Sequence, residues 1–134
     1  MVCIYCQGNL SVINSRPQKR SNQTWRRRPC KSCGAIFTSI EALDLSQAVS
    51  VLKNGQLAPF DRDKLFISLY KSLQHRPSAV SDARGLSDTV TAYIMSSTTH
   101  GQIAARVIFE SALNTLQHFD KAAASHYSAF HRQS

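Results

Sequence analysis

Apolar and polar residues alternate over residues 10–15, 24–28 and 35–38, the period-two pattern of short, half-buried strands. The polar stretch 18–23 predicts the loop between the first two. Residues 49–53 form another β-type run. Asn54-Gly55 then gives a two-residue hairpin turn, and residues 56–58 give a return strand ended by Pro59. Beyond Pro59 the period changes. Asp61 is placed to cap a helix in which Leu65, Leu69 and Leu73 recur at helical spacing, with Phe66 widening the face. Leu86, Val90, Tyr93 and Ile94 mark a second helical segment. Thr99-x-x-Gln102 fits a capping box for a third, carrying Ile103, Val107, Ile108, Ala112, Leu113 and Leu116. Asp120 opens a last helix through Phe130. The pattern predicts an α+β chain: a small β unit over residues 1–40, a connector over 41–48, and a mostly helical unit with a β-hairpin over 49–134.

With 134 residues and 43% apolar content, the chain has material for one domain or two small ones with a real core. No stretch approaches membrane-spanning length, and the first residues lack the basic start and long apolar run of a signal peptide.

All four cysteines lie near the front, as Cys3-x-x-Cys6 and Cys30-x-x-Cys33. Two residues between sulfurs lets one tight turn aim both thiolates at a single point, and two such knuckles supply a tetrahedral zinc site. Residues 7–29 are long enough for a hairpin that returns the second knuckle to the first. Disulfides would need an oxidising compartment, and a redox Cys-x-x-Cys needs one pair beside a helix start rather than two matched pairs. The spacing therefore favours a closed, structural Zn2+ site in a zinc ribbon. Reduced cysteines without an export signal also place the chain in the cytoplasm.

Charge adds a partner. The formal net charge is +8, and it is unevenly placed. Residues 1–34 carry Arg16, Lys19, Arg20, Arg26, Arg27, Arg28 and Lys31 and no acid. A zinc tetrathiolate offsets about two of those charges. What remains reads as an electrostatic footprint for nucleic acid, with Arg16, Arg26, Arg27 and Arg28 as the contact candidates. On a strand, Arg26 and Arg28 share one side while Trp25 and Arg27 share the other.

Catalytic machinery is not visible. His75, His100, His118, His126 and His131 show no metal-ligand spacing, and there is no Gly-rich phosphate loop. The chain reads as a non-enzyme.

Longer motifs carry a resemblance. Cys3-Ile-Tyr-Cys6, Val12-Ile-Asn-Ser-Arg16-Pro17 and Arg26-Arg27-Arg28-x-Cys30-x-Ser-Cys33-Gly34-x-x-Phe37-Thr38 resemble the zinc ribbon of the bacterial NrdR repressors. Val51-Leu-Lys53-Asn-Gly55, Pro59-Phe60-Asp61-Arg62-x-Lys64-Leu65 and Arg76-Pro77 resemble the ATP-cone that follows it in that family. Beyond residue 77 the likeness rests on helix order and on Phe119-Asp120-x-Ala-Ala123.

The resemblance implies a repressor of ribonucleotide reductase genes that binds paired boxes in double-stranded promoter DNA. ATP or dATP, with Mg2+, would act as effector and set the homo-oligomeric state. Cys3, Cys6, Cys30 and Cys33 would hold zinc, Arg26, Arg27 and Arg28 would face DNA, and Lys53 and Lys64 would lie near nucleotide phosphates. Three positions depart from the family pattern. Asn54 stands where an Arg commonly follows the strand lysine, in a loop one residue shorter. Ala58 replaces an acid, and Ala124 an aromatic near the last helix. Each removes a polar or stacking group from the expected nucleotide site. Two other readings fit the same residues: a zinc-ribbon accessory protein binding RNA or a polymerase, and a regulatory subunit binding a reductase directly.

Overall fold

Residues 1–43 are built on a three-stranded antiparallel sheet, β1 (Asn14–Gln18), β2 (Gln23–Pro29) and β3 (Ile36–Ala42), in the order β1-β2-β3. The computed structural model describes residues 1–131 and divides into two compact units, Met1–Leu43 and Asp44–Ser134. In the front unit Trp25 pairs with Arg16 on one side and Ile40 on the other, and Arg26 with Ser15 and Ser39. Pro17 sits on β1, an edge strand, where its missing N–H does least harm.

The first strand starts later than the alternation predicts. Residues 10–13 still follow β2, with Ser11 N–H donating to the Pro29 carbonyl and Ile13 N–H to the Arg27 carbonyl, both at 3.1 Å. They run one residue out of step. Leu10 stands opposite Cys30 and Asn14 opposite Arg27, so four residues on one chain face three on the other, a β-bulge. Pro29 has no N–H to complete a regular ladder at this point. The third strand runs longer than expected, to Ala42, because β2 offers partners down to Gln23.

This sheet covers almost nothing. Among residues 1–43 only Cys3 and Cys30 are buried, while Ile4, Tyr5, Val12, Ile13, Ile36 and Ile40 stay exposed.

The rear unit opens with a single turn, α1 (Leu45–Ala48), capped by the Asp44 carboxylate on the Ser46 N–H. It fills much of the expected connector and buries Leu45. β4 (Ser50–Lys53) and β5 (Gln56–Pro59) form the expected hairpin, with Asn54 and Gly55 at φ 52° and 76°, the two positive values a type I′ turn needs.

Thr99 and Gln102 do not form a capping box. Instead they close a second tight turn on each other's backbone at 3.0 Å, with His100 and Gly101 at φ 53° and 74°. That turn launches β6 (Gln102–Ala104), which lies parallel to β4 with Ile103 opposite Val51. Ile103 is therefore a strand residue, and the hairpin becomes a three-stranded sheet of order β5-β4-β6.

Four helices complete the unit: α2 (Arg62–Ser72), α3 (Ala79–Ser97), α4 (Ala105–Phe119) and α5 (Lys121–Phe130). Asp61 caps α2 through the Asp63 and Lys64 N–H groups, and Asp120 caps α5 through the Ala123 N–H. Leu65 and Leu69 on α2 and Leu73 at its C-cap meet Ala83, Val90 and Ile94 on α3 and Ala112 and Leu116 on α4 in one core that also takes Phe60, Ile103 and Tyr127. Tyr93, expected on the apolar face of α3, is half exposed. Among the described residues no helix is long and apolar enough to cross a membrane.

Candidate functional site

The two cysteine knuckles fold alike. In each, the first cysteine's carbonyl accepts from the residue four positions on, Gln7 N–H at 3.0 Å and Gly34 N–H at 3.1 Å. Its N–H donates one residue further, Cys3 to the Gly8 carbonyl at 2.8 Å and Cys30 to the Ala35 carbonyl at 2.7 Å. Closing such a turn takes one residue at positive φ, Gln7 at 63° in the first knuckle and Gly34 at 78° in the second. Backbone N–H groups then point inward at sulfur: Tyr5 to Cys3 at 3.4 Å, Ser32 to Cys30 at 3.4 Å and Cys33 to Cys30 at 3.5 Å.

Across the knuckles, Cys3 Sγ lies 3.7 Å from Cys33 Sγ and Cys6 Sγ 3.5 Å from Cys30 Sγ, and all four sulfurs fall within 4.8 Å of one another. A disulfide would require about 2.05 Å. Four thiolates about 2.3 Å from one zinc stand about 3.8 Å apart, so the donor set fits a tetrahedral zinc ion. Gly8 makes the approach possible. A Cβ there would meet Ser32 Cβ at 2.9 Å and Cys30 Sγ at 3.2 Å.

The protein's own groups act unequally on the thiols. The Cys33 N–H holds Cys30 down to about 6, helped by the Ser32 N–H and opposed by burial. For Cys6 the Gly8 backbone favours the thiolate, but Cys30, burial, Cys33 and Cys3 together outweigh it and push the thiol up to about 12. A bound metal ion would favour four thiolates at once, releasing protons as it binds.

The sheet sorts the arginines by face. Arg26 donates to Ser15 Oγ at 2.8 Å and lies 3.5 Å from the Glu41 carboxylate, while Arg28 donates to Ser39 Oγ at 2.7 Å. Trp25 and Arg27 stand on the opposite face and are exposed, as is Arg16. A groove of about 210 Å³ is lined by Asn14, Arg16, Trp25, Arg26, Arg27 and Thr38.

In the rear unit, Lys53 at the end of β4 and Lys64 in the first turn of α2 line one cavity of about 530 Å³. Leu57, Phe60, Ile108 and Tyr127 supply its apolar wall, with Asp61 and Ser68 beside the lysines. Asn54 and Ala58 lie on the same cavity, so these two departures do face it. Ala124 does not. It is buried, and borders a separate hollow between α4 and α5.

Tyr127 is the wall residue that pattern reading missed. It is buried, stacks on Phe109 at 5.6 Å between ring centres, and burial pushes its hydroxyl up against the opposing influence of Ser68. A lone tyrosine on an alanine-rich helix carries no sequence signal beyond its helical spacing from Ala123 and Ala124.

Comparison with known proteins agrees with this geometry. A family model described as "Transcriptional repressor NrdR-like, N-terminal domain" matches residues 1–41. The chain is 30% identical over 133 residues to a protein of Symbiobacterium thermophilum named "Transcriptional repressor NrdR", covering 99% of the chain and 88% of that protein. Proteins of the same name from Desulforamulus reducens and Staphylococcus aureus are 32% and 28% identical, covering 99% of the chain and 84% and 85% of their own lengths.

Proposed function

Since the chain belongs to the NrdR family of transcriptional repressors, with a regulatory rather than enzymatic role, we propose that it is a nucleotide-responsive repressor of ribonucleotide reductase genes. Zinc held by Cys3, Cys6, Cys30 and Cys33 fixes the two knuckles and with them the sheet. When bound, the ion supplies structure and no reactive position, because four thiolates close its coordination. Basic side chains of this sheet, with Arg16, Arg26, Arg27 and Arg28 as the candidates, then supply the DNA contacts, by holding phosphates and reading base edges in paired promoter boxes.

The effector site is the cavity between β4, β5 and the start of α2. Two ammonium groups and the positive end of a helix favour a triphosphate, and the apolar wall with Tyr127 suits a purine. The departures at Asn54 and Ala58 leave Lys53 and Lys64 as the only basic groups among the residues lining this cavity. ATP or dATP, with Mg2+, changes DNA binding through a homo-oligomer built from the later helices, since a ligand shifts only an equilibrium between states it binds unequally. Paired boxes select the oligomer whose ribbons have the right spacing.

One observation carries the reading: a four-sulfur cluster of tetrahedral size holds a basic sheet in one unit, while in the other two lysines with no ion pair among the described residues share a cavity. It is tested with zinc-loaded full-length chain and a labelled duplex from a reductase promoter of the same genome, against a scrambled duplex. The expected result is preferential binding of the promoter duplex, shifted by ATP or dATP about 5- to 150-fold. Equal affinity for both duplexes, or indifference to millimolar nucleotide, contradicts it.

A further inference from the structure

The two faces of the front sheet are chemically unlike, and the difference assigns the docking side. On one face lie Pro17, Thr24 and Glu41 in one row, and Ser15, Arg26 and Ser39 in the next. Both arginines of this face are spent within the chain, Arg26 on Ser15 and Glu41, and Arg28 on Ser39. Its exposed carboxylate would also repel a phosphate backbone. The other face carries Gln18, Gln23 and Ala42, then Arg16, Trp25 and Ile40, then Asn14, Arg27 and Thr38. It holds no acid. Among the described residues the guanidinium groups of Arg16 and Arg27 have no hydrogen bond or ion pair.

Trp25 is at the centre of that face. It is 44% exposed and lies opposite Arg16 on one neighbouring strand and Ile40 on the other. Its indole N–H is 3.4 Å from Gln23 Oε1, and Gln23 is two residues away on the same face. This contact holds the ring along the strand. Folding leaves 44% of this large aromatic side chain in water, so it recovers only part of what full burial would contribute. Flanked by two free guanidinium groups, it has the composition of a nucleic-acid contact: cations for phosphate and a flat apolar surface for a base or sugar.

We propose that duplex DNA docks on the face bearing Arg16, Trp25 and Arg27, with Trp25 as its apolar anchor, and that Arg26 and Arg28 brace the sheet from the far side. This rests on the reading that the front unit binds duplex DNA, and narrows it from four arginines to two plus an indole.

Trp25 is the chain's only tryptophan, so its emission reports directly on this face. The test uses zinc-loaded full-length chain and the labelled promoter duplex, with binding followed independently by the anisotropy of the label. On saturation the Trp25 emission should change and its quenching by acrylamide should fall at least twofold. Arg16→Gln and Arg27→Gln should each lower the slope of log affinity against log salt by about 0.9, whereas Arg26→Gln and Arg28→Gln should leave it unchanged. Trp25→Ala should weaken binding about tenfold or more at an unchanged slope, and Trp25→Phe should recover most of the loss, with full zinc content in both variants. Saturable binding by anisotropy with the indole still fully open to acrylamide overturns the proposal and leaves the DNA-binding reading intact. So does a slope that falls for Arg26→Gln or Arg28→Gln and not for Arg16→Gln and Arg27→Gln. Absence of any binding by anisotropy overturns both.

Discussion

The front and rear units solve the same problem by different means. Residues 44–131 bury Leu69, Leu73, Val90, Ile94, Ala112 and Leu116 completely, a core of the ordinary kind in which each large side chain contributes roughly 1.5–3 kcal/mol. Residues 1–43 bury two cysteines and leave nearly every other apolar side chain in water. A sheet of three strands without an apolar face against something has no independent stability. What closes the front unit is the four-sulfur cluster, to which structural zinc would bring an apparent binding free energy of about 10–16 kcal/mol. The lesson is economy of surface: a unit whose interior is one four-sulfur cluster can leave both faces of its sheet to carry charge and aromatic groups outward.

That contrast can be broken at either end. The largest effect is expected from Cys30→Ser, which removes a buried ligand. Zinc content measured by metal analysis should fall to near zero and Trp25 emission should shift to that of an open chain, while the helical circular dichroism of the rear unit persists. Next comes Leu69→Ala. It should destabilise the rear unit by about 2–5 kcal/mol in denaturant titration, with zinc content unchanged.

Gly8→Ala sharpens the comparison, because it adds one methyl group with no change in ligands. Pressed between Ser32 and Cys30, that methyl should weaken zinc retention against a chelator by about 1–3 kcal/mol, and Ser32→Gly in the same chain should restore part of it.

The smallest effect concerns the rear unit alone. Asp120 accepts from the Ala123 N–H, His75 and Arg76, and these partners, the Ala123 N–H first, hold its carboxyl well below the ordinary 3.8. A depressed folded-state pKa contributes stability above the unfolded value and loses it as pH falls through the folded one. Asp120→Asn should therefore lower the Tm at pH 7, and the gap from the parent should narrow as pH drops below about 4.

Much of this was legible beforehand because it depends on near neighbours in the chain. The cysteine spacing gave the cluster, Asn54-Gly55 gave the hairpin turn, Asp61 and Asp120 gave the caps, and alternation put Trp25 and Arg27 opposite Arg26 and Arg28. What escaped depends on partners far along the chain. The bulge between Ile13 and Asn14 follows from how a distant strand with Pro29 at its end is met, so the alternation over 10–15 overshot. The third strand of the rear sheet was hidden by a His-Gly turn. Non-glycine residues are uncommon at positive φ, so His-Gly is a weaker turn signal than Asn-Gly, and Ile103 fits a helical stripe as well as a strand. The cavity wall was misplaced for a similar reason. Ala124 was expected there, yet the packing of α5 turns Ala124 into the interior and brings Tyr127, three residues on, to the cavity beside Lys53 and Lys64.

Amide hydrogen exchange of the full-length chain, recorded residue by residue before and after zinc is stripped with a chelator, reads both units in one sample and asks directly whether a metal ion stands in for a core. The account predicts that amides of β1, β2 and β3 lose their protection and exchange as an open chain. Those of α2, α3 and α4 should keep theirs within experimental error. Protection that survives metal removal in the front sheet, or that collapses along with it in the rear helices, would contradict it.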